Sequence, residues 1–76
     1  MASLNPIDYR HLVKVFEYCG WQFSHQKGDH LIYKKPGSLR AIVIPMYKEI
    51  PRFIILNNLR TAGISREEYF EILKEV

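Results

Sequence analysis

The chain has 76 residues, which is one domain's worth and too few for a second. Hydrophobic residues make up 47% and aromatic residues 13%, enough to build a core without a metal or disulfide staple. The lone Cys19 rules out an internal disulfide and argues against a thiolate zinc site. Eleven Lys plus Arg against eight Asp plus Glu leave a formal charge of +3, a balance that favours polyanions as partners.

No stretch approaches the ~18 apolar residues of a membrane span. The first ten residues, "MASLNPIDYR", lack the basic start and apolar run of an export signal, so a cytoplasmic location is expected.

The first predicted element opens at "NPID", with Asn5 as N-cap, Pro6 in the first helical position and Asp8 favoured by the helix dipole. Tyr9, Leu12, Val13, Phe16 and Cys19 then recur at helical spacing, and Gly20 supplies the left-handed stop. After Gly20 the period changes to two. Trp21, Phe23 and His25 alternate with Gln22, Ser24 and Gln26, which predicts a strand. A three-residue turn, Lys27, Gly28 and Asp29, leads into a second strand over residues 30–35. "KPGS" makes the next turn. "LRAIVIP", residues 39–45, reads as a third strand. Links this short imply an antiparallel meander.

"RFIILNNLRTAG" predicts a second helix closed by Gly63. "SREE" is a capping box in which Ser65 caps and Glu68 reaches back, opening a third helix with Tyr69, Ile72, Leu73 and Val76 on one face. The expected class is α+β over a single domain, residues 1–76, in the order α-β-β-β-α-α. The helices should cover one sheet face and leave the other open. Trp21, Phe23, Leu31, Tyr33 and Val43 are the expected helix-facing residues.

Residues 25–37, "HQKGDHLIYKKPG", gather the chemistry. A three-residue loop would set Gln26 opposite His30, with His30 at a rigid, exposed position. Imidazole takes and gives protons near neutrality. Asp29 stands beside it, and Lys27, Lys34 and Lys35 are candidates to hold phosphate oxygens. Alternation sets His25 on the Trp21/Phe23 side, at the rim of the core face. Leu31 and Tyr33 are placed inward, which leaves His30 and Lys34 on the open face; a one-residue slip would reverse that. Arg40 is a further cation. The histidines show no metal-ligand spacing, and no cofactor motif is present. Phe53, Ile54 and Leu56 exceed what the sheet-facing stripe of the second helix needs, which suggests a partner surface or a homodimer.

The run "GWQFSHQKGDHLIYKKPG", followed by "VIP" and later "LRTAGIS", resembles the HicA (YcfA-like) toxin family of bacterial toxin–antitoxin systems. The similarity covers roughly residues 7 to 74. It implies a fold similar to double-stranded-RNA-binding domains, metal-independent endonuclease activity on mRNA, and a HicB-like antitoxin partner. The catalytic histidine of the family carries over onto His30, and the turn glycine onto Gly28. The chain departs from the family pattern at Asp29, where Ser is usual, and at Met46 and Tyr47, where many members carry a His after the "vP" pair. The expected chemistry is attack of a ribose 2′-OH on the adjacent phosphate, with His30 moving the proton. Lys27, Gly28, Lys34, Lys35 and Arg40 would bind RNA, and His25, Lys27 and Tyr33 are candidates for the general acid. The competing readings are a non-catalytic RNA-binding module on the same face and a protein-interaction domain built on the apolar start of the second helix.

Overall fold

The computed structural model describes residues 4–76. Its elements are α1 (Tyr9–Tyr18), β1 (Gln22–Lys27), β2 (His30–Lys34), β3 (Ile42–Pro45), α2 (Arg52–Ala62) and α3 (Arg66–Leu73). The expected α+β class and element order are met, and the strands form one antiparallel sheet in sequence order.

α1 begins three residues later than "NPID" suggests. Asp8, not Asn5, is its N-cap, and the Asp8 carboxylate accepts the Arg10 backbone N–H at 2.8 Å. The delay has a long-range cause. Ile7 exchanges backbone hydrogen bonds with Ile50 at 3.3 and 2.7 Å, so the segment before Asp8 is held extended against the connector after β3. The end of α1 is as read. Gly20 takes a φ of 92°, its N–H bonds to the Glu17 carbonyl, and Trp21 N–H reaches back to Phe16. Those two bonds make a Schellman stop.

The first hairpin turn is tighter than expected. Lys27 pairs with His30 and Gln26 with Leu31, which leaves a two-residue turn of Gly28 and Asp29. Gly28 has a φ of 60°, and no non-glycine residue has positive φ among those described. A positive φ at the first turn position only is the type II′ arrangement, which suits the right-handed twist of a hairpin. β3 is shorter than predicted: Leu39 and Arg40 lie in the loop before it, and Leu39 is fully exposed.

The core side of the sheet carries Leu31 and Tyr33 against Ile44 and Ile42. These pack with Leu12, Val15 and Phe16 of α1, Ile55 and Leu59 of α2, and Tyr69 and Ile72 of α3. Trp21 is buried as expected; Phe23 and Val43 are not. Val43 pairs with Ile32 and faces outward, since cross-strand partners share a face. "IVIP" is apolar at every position, so alternation could not reveal its inner face. Phe23 pairs with Tyr33 and points the same way, but β1 is an edge strand whose six residues are all exposed.

The second and third helices match their reading closely. Gly63 closes α2 in the left-handed region. Ser65 and Glu68 form the reciprocal capping box, with bonds of 3.1 and 3.0 Å. No helix among the described residues is long and apolar enough to cross a membrane.

Candidate functional site

His30 opens β2 directly after the type II′ turn. Three contacts fix its backbone. The Gln26 side-chain amide donates to the Gly28 carbonyl at 2.9 Å, Met46 N–H donates to the Asp29 carbonyl at 2.8 Å, and His30 itself lies between Lys27 and Pro45 in the ladder. Gln26 and Met46 are therefore part of the site's support, a role that sequence reading did not assign to them. The only sequence signal was the position of Gln26, two residues before the turn glycine.

The His30 side chain is 44% exposed, and its Nδ1 lies 2.9 Å from Asp29 Oδ1. A carboxylate at Nδ1 selects the tautomer with hydrogen on that nitrogen and leaves the Nε2 lone pair free. Lys27 stands directly opposite His30 and on the same face.

The strand β1 is interrupted by a bulge. Phe23 pairs with Tyr33 and His25 with Ile32, so Ser24 is the extra residue between them. This shifts His25 off the core-facing side where simple alternation would put it. It joins Ile32, Val43 and His30 on the open face. His25 and His30 are then diagonal neighbours across the hairpin, about 7–8 Å apart between backbones. Ser24 Oγ and His25 Nδ1 lie 3.0 Å apart, which steadies the ring. Bulges commonly re-aim a side chain in this way.

The remaining sequence-derived candidates divide. Tyr33 is turned into the core and only 4% exposed. Burial, with the neighbouring Glu17 carboxylate, holds its hydroxyl above the ordinary phenol range. It has no path to the open face. Lys34 shares the face of His30 but sits four residues along β2, about 13 Å away at ~3.3 Å per residue. Lys34, Lys35 and Arg40 instead converge on a separate groove at the other end of the hairpin. Of the four cations, the structure thus brings only Lys27 beside His30. Tyr47, one residue after Met46, is exposed, and its carbonyl accepts the Tyr9 N–H at 3.0 Å. No group of three His, Cys, Asp or Glu side chains that could hold a metal ion occurs among the described residues.

A small antiparallel sheet backed by helices on one face, with His30 and Lys27 paired beside a hairpin turn on the other, defines a compact α+β domain. The family model for the HicA toxin of bacterial toxin–antitoxin systems matches residues 9–64, which spans α1 to the end of α2 and includes the whole sheet. The chain belongs to the HicA toxin family. No curated protein matches it significantly. Membership of a toxin–antitoxin family implies an antitoxin partner.

Proposed function

We propose that this chain is an endoribonuclease toxin that cleaves mRNA in the cytoplasm and is held in check by a HicB-like antitoxin. The observation that carries the reading is the His30 site. A half-exposed imidazole sits on a braced turn, with Asp29 on its Nδ1 and Lys27 opposite, in a chain of the HicA family. His30 Nε2 takes the proton from a ribose 2′-OH as that oxygen attacks the adjacent phosphorus. The bond from phosphorus to the 5′-oxygen breaks, leaving a 2′,3′-cyclic phosphate and a 5′-hydroxyl. His25 is the side chain best disposed to give the leaving oxygen its proton, because it shares the face and the hairpin. Lys27 offsets charge on the five-coordinate phosphorus. The nucleophile belongs to the substrate, so proximity supplies much of the rate and no metal is required to generate it. The helix–three-strand–helix order agrees with the double-stranded-RNA-binding-like fold that the family resemblance implies.

The test is cleavage of a single-stranded RNA by the purified chain in EDTA. His30→Ala should lower the rate by roughly 10²-fold or more, the scale of a general acid–base contribution, with folding changed by about 0.5 kcal/mol or less. His25→Ala should produce a smaller loss. Equal cleavage by a folded His30→Ala protein would overturn the catalytic role. A wild-type chain that binds RNA without cutting it would favour the binding-module reading, for which Asp29, Met46 and Tyr47 already depart from the family pattern.

A further inference from the structure

At the end of the hairpin away from the turn, a groove of about 580 Å³ opens between β1 and the loop joining β2 to β3, within the size range of ligand sites. Lys34, Lys35 and Arg40 line it, and no carboxylate does. Two apolar side chains sit among these cations in water: Phe23, 53% exposed, and Leu39, wholly exposed. The Phe23 ring is oriented. It stands edge-on to the buried Tyr33, with centroids 5.8 Å apart at 70°, so its open face is presented in a fixed direction. Lys35 is partly engaged elsewhere. Its stem lies over Gly20, with Cε and Nζ 3.6 and 3.9 Å from where a β-carbon on that glycine would sit, at the negative end of α1. Lys34 and Arg40 are the cations left to meet a ligand.

We propose that this groove is a subsite for single-stranded RNA, in which one base stacks on Phe23 against Leu39 and the flanking phosphates lie on Lys34 and Arg40. An aromatic platform beside backbone-tracking cations is the combination that binds single strands, because every base has a π-face. A duplex keeps its bases stacked inside and has nothing to offer Phe23. The identity of the ligand rests on the ribonuclease reading above. Lys34 lies about 13 Å along β2 from His30 on the same face, a span of about four stacked nucleotides at ~3.4 Å each. Phe23 faces the Tyr33 side, so the RNA strand passes Lys34 and turns round the β1 edge to reach the ring. The groove therefore grips the strand beyond the scissile bond and contributes affinity, not chemistry.

The test uses the 76-residue chain carrying His30→Ala, in which cleavage is expected to be slow, and a fluorescent oligouridylate of about ten nucleotides, within the usual site size. Anisotropy is read across a salt series. Phe23→Ala should weaken binding about 5- to 150-fold, the effect of losing one stacked base, with the salt slope unchanged; Phe23→Trp should restore it. Leu39→Ser, at a position with no packing to lose, should also weaken binding. Lys34→Ala and Arg40→Ala should each reduce the slope of log K against log salt by roughly 0.7. In the active chain, Phe23→Ala should raise KM and leave kcat alone.

Unchanged affinity in both Phe23→Ala and Leu39→Ser would overturn the proposal. So would displacement of the oligonucleotide by an RNA duplex or an acidic peptide at lower concentration than by unlabelled single strand. The two readings fail separately. If His30→Ala abolishes cleavage while the groove variants bind and cut normally, the subsite is wrong and the ribonuclease stands. If the wild type does not cut but the groove variants lose the oligonucleotide, the subsite stands and the ribonuclease is wrong.

Discussion

His30 Nδ1 and Asp29 Oδ1, neighbours in sequence, face each other at 2.9 Å across the mouth of the turn. The pair is open to water, so its value lies in orientation more than in ion-pair energy. It holds one nitrogen of the ring and aims the other outward. Asp29→Asn keeps the size but not the acceptor pair. Cleavage should fall by less than roughly 10²-fold, below the loss expected from removing the imidazole, with thermal stability nearly unchanged. Steady-state kinetics on one RNA in parallel with His30→Ala would check the order of the two effects.

Gly28 should be needed for its backbone alone. A β-carbon there would meet nothing within 4 Å, but φ is 60°. Gly28→Ala is therefore expected to cost on the order of 1–3 kcal/mol from backbone strain at a positive φ, a drop of several degrees in melting temperature. Heteronuclear NMR should confine the accompanying shifts to the hairpin and Met46. Disturbance spread through α2 and α3 would contradict this account.

Phe53 lies in the first turn of α2, 71% exposed, while Ile54 and Leu56 beside it are half-buried. Such a ring does little for the isolated fold. Phe53→Asp should change stability by about 0.5 kcal/mol or less. If this face meets the antitoxin or a second copy, the same variant should weaken that association by roughly 30-fold, the loss of a ~2 kcal/mol anchor. Titration calorimetry with the cognate antitoxin, and sedimentation of the chain alone, would measure both.

Stability at the pH extremes should track two capped or buried groups. The Asp8 carboxyl is held down at about 2, chiefly by its side-chain hydrogen bond with Arg10. Its contribution is complete above the ordinary value of 3.8 and is lost as pH falls through about 2. Asp8→Asn, still a good N-cap, should flatten that acid limb. Burial pushes the Tyr69 hydroxyl up from 10.0 to about 12, so its contribution is complete below 10.0 and is lost as pH rises towards 12. Tyr69→Phe should weaken the alkaline decline. Thermal melts across both ranges are the measurement.

What the sequence made legible was local. Gly20, Gly63 and the Ser65–Glu68 box act within a few residues of themselves, and their conformations follow from chemistry that needs no distant partner. The strand faces were harder. Ser24 carries no mark of a bulge, yet that one extra residue decides which side His25 takes. The late start of α1 depends on Ile50, far along the chain. The candidate site is legible because Gly28 and His30 stand two residues apart, so the turn and the imidazole it positions fall in one short stretch. The spacing of the cations was not legible, because Lys34 and Lys35 are near His30 in number while an extended strand carries Lys34 to its far end and Lys35 just beyond it.

The bulge at Ser24 also bears on how the chain behaves at high concentration. β1 is a bare outer strand of six residues, all exposed, and a straight strand in that place would template the addition of another copy edge to edge. An irregular strand cannot offer a continuous row of donors and acceptors, and Lys27 sets a charge at its end. The residue that re-aims His25 thereby also guards the sheet against growing into a fibre.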